Sequence, residues 1–187
     1  MKIGIMGAGN IGGTAAKLFV DAGHQVAISN SRGRDSLNDL VADLGDNAQS
    51  ASVEEAVDFG DVVFIAIPFG KYKEIPPNGF EGKTTSSELL EAHLPGARIV
   101  KGFNTIYFEH LKTQGNIDLP LDQRRAIFIA GDDSEAKETV AKLVEDIGYA
   151  AIDTGFLREG GTKQQPDAPI YNKVITAGEA KAFSARA

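Results

Sequence analysis

Short apolar runs alternate with amphipathic segments along the whole chain. The runs that predict strands lie at residues 2–6, 25–29, 49–51, 61–67, 98–104, 126–130 and 149–153. Apolar positions at helical spacing predict helices at residues 10–22, 35–44, 52–59, 85–93, 106–113, 133–147 and 177–182. Such alternation of strands and helices is typical of an α/β fold with a doubly wound parallel sheet. In the strand predicted at residues 61–67, the run that follows Asp61 is continuously apolar, as a strand buried on both faces requires.

A glycine motif follows the first predicted strand directly, as Gly7-x-Gly9-x-x-Gly12. In a dinucleotide-binding βαβ unit the first glycine permits a tight turn, the second lets the backbone approach a pyrophosphate, and the third lets the helix pack closely. The amino end of that helix then directs free N–H groups and the positive end of its dipole at the phosphates. We therefore expect a cofactor pyrophosphate to bind along the turn, which comprises Gly7, Ala8, Gly9, Asn10, Ile11 and Gly12. The alternative is a glycine-rich turn without function.

The end of the second predicted strand indicates which dinucleotide binds. An NAD-binding unit usually places Asp or Glu there, to bond the ribose 2′-hydroxyl. This chain has Asn30, Ser31 and Arg32 instead, followed by Gly33 and Arg34. A hydroxyl and a guanidinium bind a phosphate, which a carboxylate would repel. The loop predicts NADP(H), with Asn30 in the pocket, Ser31 and Arg32 on the 2′-phosphate and Arg34 as a weaker candidate; the alternative is a solvated basic loop.

The domain organisation follows from these elements. Residues 1–155 are expected to form one NADP-binding domain of the Rossmann type. Residues 156–187 are expected to form a tail, a loop with a short terminal helix, that closes over the site or forms a dimer interface. The apolar residues Ile67, Pro68 and Phe69 end the fourth strand, where we expect them to pack on the nicotinamide ring or its ribose.

Composition narrows the functional classes. The net charge of −7 argues against nucleic acid or anionic membranes as general partners. The chain contains no cysteine and no apolar run of membrane-spanning length, and no secretory signal pattern precedes the first strand, so a cytoplasmic protein is expected. Its three histidines and the pair Asp132-Asp133 lack metal-ligand spacing; Asp133 is better placed to cap a helix.

Four segments together resemble a known family. They are Lys2–Gly13, Ser29–Arg32, Lys101-Gly-Phe-Asn-Thr105 and Ala130-Gly-Asp-Asp133. The chain resembles the NADPH-dependent deazaflavin reductases, which transfer hydride between NADP and coenzyme F-420. It is also similar to the reductase domain of the six-transmembrane metalloreductases. The resemblance implies that Asn104 sits beside the hydride-transfer crevice, where it would bond the nicotinamide carboxamide or the acceptor; a turn or cap residue is the equal alternative.

The resemblance leaves the acceptor open. It implies an NADPH-dependent oxidoreductase of deazaflavin or flavin type, with a small-molecule acceptor and a homodimeric assembly. The alternatives are a reductase of another acceptor, such as FMN, FAD, a quinone or an imine, and an NADPH-binding protein without turnover. The chain differs from the family between Lys83 and Thr84, where family members carry a further strand and loop. Either this segment is deleted from the chain, or its residues are left out of the numbering.

Overall fold

Strands and helices alternate in the computed structural model, which describes residues 1–67, 86–166 and 168–184. The strands are β1 (Lys2–Met6), β2 (Gln25–Ser29), β3 (Ala48–Ser50), β4 (Val62–Ile65), β5 (Val100–Lys101), β6 (Ala126–Gly131) and β7 (Ala150–Asp153). The helices are α1 (Asn10–Asp21), α2 (Asn38–Leu44), α3 (Val53–Phe59), α4 (Ser86–His93), α5 (Phe108–Thr113), α6 (Ser134–Asp146), α7 (Leu157–Lys163) and α8 (Ala177–Ser184). The chain divides into two units, Met1–Ile75 and Pro76–Ala187. The expected boundary after residue 155 stays a prediction.

The first unit is built on a parallel sheet of four strands within the described residues, in the order β3-β2-β1-β4. Ile5 of the central strand β1 pairs with Ile28 of β2 and with Phe64 of β4. Ile3 and Ile5 are fully buried, as the apolar strands of a parallel sheet require. The predicted α/β fold with its parallel sheet is confirmed here, including the first two strands at their expected positions.

The second unit contains a mixed sheet in the order β5-β6-β7. Strands β6 and β7 are parallel, whereas β5 runs antiparallel to β6. Phe128 and Ile152 of this sheet pack in one cluster with Ala177 and Ala180 of α8. The expectation of parallel pairing throughout is therefore wrong at β5, because an alternation of elements along the sequence does not determine strand direction, and mixed sheets are common.

The strand predicted at residues 98–104 is much shorter than expected. Only Val100 and Lys101 pair with β6. Phe103 has φ 62°, in the left-handed region that a bulky residue adopts rarely, so the extended conformation ends before it. Asn104 consequently lies in a turn instead of at the end of a strand.

Two helical segments differ from expectation. The helix predicted at residues 35–44 begins as a 3₁₀ helix, Arg34–Leu37, and becomes α-helical only at Asn38. The tail expected to form a loop contains the helix α7, which packs against β6. A Cβ on Gly160 would lie 2.8 Å from the carbonyl carbon of Thr154, so glycine at this position lets α7 approach its neighbour.

The helix caps agree with the sequence. Ser52 and Glu55 form a reciprocal capping box at the start of α3. The Asp133 carboxylate accepts a hydrogen bond from the Ala136 amide at 2.8 Å, so its predicted role as a helix cap is confirmed. Among the helices that the structure describes, none combines the length and apolar character needed to cross a membrane.

Candidate functional site

The turn after β1 has the geometry that its first glycine permits. Gly7 has φ 105°, and its amide donates to the Ser29 carbonyl of β2 at 2.9 Å. A Cβ at this position would lie 2.5 Å from the Ala66 carbonyl oxygen. Both the backbone conformation and the close approach therefore require glycine, and the turn delivers the chain to the amino end of α1.

The backbone amides at the amino end of α1 receive no capping hydrogen bond from the N-cap side chain. Gly9 is the N-cap residue, it makes no side-chain cap, and the first turn contains no acidic residue. The first intrahelical bond is donated by Gly13 to the Gly9 carbonyl at 2.7 Å. The amides of Asn10, Ile11 and Gly12 precede it, so they point out of the helix without an intrahelical acceptor. These donors and the positive helix end favour an anion.

Gly9 and Gly12 have opposite steric surroundings. Among the residues that the structure describes, none would place a heavy atom within 4 Å of a Cβ on Gly9, so the backbone there faces open space with respect to them. A Cβ on Gly12 would lie 1.8 Å from the Gly7 carbonyl oxygen. Glycine at position 12 is thus needed for helix packing, whereas glycine at position 9 leaves room for something outside the protein. A dinucleotide pyrophosphate fits this arrangement, since it needs open space, free amides and positive potential together.

The loop after β2 is ordered by side-chain hydrogen bonds. The Asn30 side-chain oxygen accepts from the Arg32 amide at 2.9 Å, and its Nδ2 donates to the Ser36 hydroxyl at 2.9 Å. Ser31 and Arg32 are exposed at the tip of this loop. Asn30 therefore shapes the loop, and Ser31 and Arg32 remain accessible for an anionic ligand.

The two arginines of the loop differ in their contacts. Arg34 forms an ion pair with Glu55, the residue that also closes the capping box of α3. Arg32 has no ion-pair partner within residues 1–67, 86–166 and 168–184. Sequence reasoning ranked Arg32 above Arg34 but missed Glu55, because only the pairing of β2 with β3 brings that carboxylate to the loop.

The carboxyl end of β4 is only partly described. Ile67 is 38% exposed, beyond the point where the Ala66 amide bonds to the Met6 carbonyl at 2.8 Å. Pro68 and Phe69 lie outside the described residues, as do Lys83 and Thr84. Packing of Ile67, Pro68 and Phe69 on a nicotinamide stays a prediction.

Asn104 belongs to a polar cluster of the second unit. Its Nδ2 donates to the backbone carbonyl of Gln164 at 2.7 Å. The Lys101 ammonium donates to the Gly161 carbonyl at 3.2 Å, and burial lowers the pKa of this lysine. The fully buried Gln164 donates in turn to the Thr154 hydroxyl at 3.0 Å. The cluster holds the end of α7 against the loop after β5, while a role of Asn104 in hydride transfer stays a prediction.

Within the part of the chain that the structure describes, no three His, Cys, Asp or Glu side chains form a group that could hold a metal ion. Asp132, the neighbour of the capping Asp133, accepts a hydrogen bond from the Leu157 amide at the start of α7 at 2.7 Å.

Comparisons with known proteins agree with this architecture. The family described as NADP oxidoreductase, coenzyme F420-dependent, matches residues 2–88. The metalloreductase STEAP3 of Rattus norvegicus is 27% identical over 175 residues, which cover 83% of this chain; the chain spans only 34% of that relative's length.

Solved structures show the same fold. A hypothetical protein from Sinorhizobium meliloti superposes with a TM-score of 0.80 at 26% identity, covering 94% of this chain and 95% of that one. An imine reductase from Pseudomonas sp. superposes with a TM-score of 0.61 at 15% identity, covering 99% of this chain and 61% of that one. The second likeness shows a Rossmann-like fold alone.

The resemblance suggested by the four sequence segments is confirmed for the glycine turn and the loop after β2, which both lie within the matched residues. Residues 2–88, a little under half of the chain, match the model of the NADP oxidoreductase, coenzyme F420-dependent, family.

Proposed function

We propose that this chain is an NADP-dependent oxidoreductase that binds its cofactor at the amino end of α1. The observation that carries the proposal is the open space at Gly9 beside the amides of residues 10–12, which the structure leaves without intrahelical acceptors. The match of this segment to an NADP oxidoreductase family supports the same reading.

The preference for NADP(H) over NAD(H) is proposed to come from the loop after β2. Ser31 and Arg32 are exposed there, and Arg32 has no competing carboxylate among the described residues. A guanidinium gives bidentate, charge-assisted hydrogen bonds to a phosphate, which NADP(H) carries and NAD(H) lacks.

The reaction is proposed to be a hydride transfer to a small-molecule acceptor of deazaflavin or flavin type. The cofactor, when bound, supplies the hydride. The residues of this chain would bind and orient: amides 10–12 on the pyrophosphate, Ser31 and Arg32 on the 2′-phosphate. Hydride transfer between ring systems needs position and exclusion of water more than acid–base side chains. The family description, which names a coenzyme of this class, supports the deazaflavin acceptor.

An acceptor screen tests this proposal. The protein is mixed with NADPH and, in separate reactions, with deazaflavin, FMN, FAD, a quinone or a cyclic imine, and loss of the reduced-nicotinamide absorbance is followed. Oxidation with deazaflavin, or with a flavin, supports the proposed class. Oxidation only with the quinone or the imine would assign another acceptor, and tight NADPH binding without oxidation by any of them would indicate a binding protein.

A homodimer is also proposed. The second unit exposes apolar side chains that a partner copy could cover, among them Ile117 at 66% and Phe156 at 65% exposure. Sedimentation of the whole chain would test this, and a concentration-independent monomer would refute it.

A further inference from the structure

Glu55 performs two tasks at the start of α3. Its carboxylate accepts a hydrogen bond from the Ser52 amide at 2.7 Å, while its own amide donates to the Ser52 hydroxyl at 3.2 Å. The same carboxylate oxygen is ion-paired with the Arg34 guanidinium. The capping box thus holds the carboxylate in place, and the carboxylate holds the arginine.

The position of this pair beside the loop after β2 follows from the pairing of strands in the sheet. Strand β3 pairs in parallel with β2, with Ser50 opposite Ile28, and the Ala51 amide bonds to the Ile28 carbonyl at 2.9 Å. The chain leaving β3 toward Ser52 therefore runs alongside the chain leaving β2. Glu55 comes from the first of these segments and Arg34 from the second.

The pair reduces the positive charge that the loop can offer to a phosphate. A guanidinium bonded to a carboxylate has fewer free N–H donors, and the carboxylate repels a nearby phosphate. Both side chains are about half exposed, 50% for Arg34 and 53% for Glu55, so Arg34 could turn to a ligand if it were released. Arg32, which has no ion-pair partner among the described residues, already offers its charge at this loop.

We propose that Glu55 is a specificity-determining residue: by holding Arg34 it limits how strongly the chain prefers NADPH over NADH. The inference rests on the proposed function, because it presupposes that the loop after β2 binds a 2′-phosphate. It adds a residue outside the glycine motif and outside the loop to the determinants of cofactor choice.

The substitution Glu55→Gln separates the helix-capping role of this residue from its ion pair with Arg34. Glutamine is an established partner in a capping box, so this variant keeps the helix cap and removes the ion pair. Glu54→Gln is the matched control. Glu54 lies in the same first turn, and its carboxylate accepts from the Ser52 hydroxyl at 2.9 Å, but its hydrogen bonds do not involve Arg34. The control therefore repeats the change in charge without releasing the arginine.

The experiment measures Kd for NADPH and NADH by calorimetry in the wild type, in both single variants and in Glu55→Gln combined with Arg34→Gln. We expect Glu55→Gln to raise the preference for NADPH roughly two- to fivefold, the range for release of an exposed ion pair. Glu54→Gln should leave it unchanged, and adding Arg34→Gln should abolish the gain. Thermal melting checks that each variant is folded.

The outcomes distinguish a failure of the proposed NADP specificity from a failure of the role proposed for Glu55. A wild type that does not prefer NADPH overturns the proposed NADP specificity together with this inference. A wild type that prefers NADPH, with equal ratios in the Glu55 and Glu54 variants, overturns the inference alone. A fall in NADPH affinity in Glu55→Gln also overturns it, since Glu55 would then orient Arg34 toward the phosphate.

Discussion

Replacing Gly9 by alanine should weaken NADPH binding while leaving the free protein folded. Gly9 has φ −80° and ψ −166°, which an alanine can adopt, and the added Cβ would meet no heavy atom of the described residues within 4 Å. The stability cost is confined to the poorer N-cap quality of alanine, up to about 1 kcal/mol. The steric cost appears only when a ligand occupies the open space.

The size of the binding loss follows from the geometry of the amides. A Cβ projects about 1.5 Å from its Cα, so a pyrophosphate pushed outward by a comparable distance moves beyond hydrogen-bond reach of the helix amides. Loss of one bond between an amide and a charged phosphate costs about 1.5–3 kcal/mol. The Kd for NADPH should therefore rise roughly 10- to 150-fold.

The assay is a fluorescence titration with NADPH, accompanied by urea unfolding of the same samples. Gly13→Ala is the matched control. Among the described residues outside its own helix, the nearest atom to its Cβ would be the Ala8 carbonyl oxygen, at 4.0 Å, and alanine is the better helix former by up to about 1 kcal/mol. Gly13→Ala should bind NADPH as the wild type does. Equal Kd values for Gly9→Ala and wild type would refute the placement of the pyrophosphate.

Three further changes test other parts of the account. Arg32→Glu should weaken NADPH binding by about 2–3 kcal/mol more than NADH binding in calorimetry, and an equal loss for both would show that the loop does not bind the phosphate. Ser52→Ala should lower the free energy of unfolding in urea by about 0.5–2 kcal/mol through loss of the capping box of α3; an unchanged midpoint would contradict that role. Burial raises the pKa of Tyr149 to about 12, and its hydroxyl donates to the carbonyls of His110 and Leu111 at 2.8 Å. Between pH of about 10 and 12 the unfolded chain loses this proton before the native one, so stability should fall as the pH rises, and Tyr149→Phe should flatten that part of the curve.

The first unit was predictable because its sequence signals are local. The glycines of the turn, the alternation around Ile3 and Ile5, and the Ser52 capping box each act within a few residues, and each has the predicted structure. Glycine is required at Gly7 and Gly12 because a Cβ at either position would collide with nearby backbone. Any strand–turn–helix unit of this type brings that backbone close. Pattern and structure therefore agree where the cofactor is expected to bind.

The second unit was less predictable because its determinants are tertiary. Two adjacent glycines normally indicate a loop, yet Gly160 and Gly161 lie inside α7, where Thr154 leaves no room for a side chain at position 160. Strand β5 ends early because Phe103 adopts a left-handed conformation. Nothing in the local sequence predicts that conformation for a phenylalanine. The direction of β5 depends on its pairing with β6.

The candidate site also combines features that local sequence predicts with features that depend on tertiary contacts. Arg32, unpaired within the described part of the chain, could be predicted as a ligand of the 2′-phosphate from the missing carboxylate at the end of β2, whereas the ion pair between Arg34 and Glu55 could not be predicted. Those two residues are 21 positions apart along the chain and meet only because β3 lies beside β2. The charged residues of a loop can therefore be listed from its sequence. Which of them are neutralised by ion pairs with distant residues cannot.

A calorimetric titration of the whole chain with NADPH, with NADH in parallel, tests the proposed cofactor site itself. We expect saturable binding of NADPH that is tighter than that of NADH, because the amides of α1 would hold the pyrophosphate and the loop after β2 would hold the 2′-phosphate. No binding of NADPH would contradict the cofactor site itself, and equal affinity for the two cofactors would contradict the role of the loop.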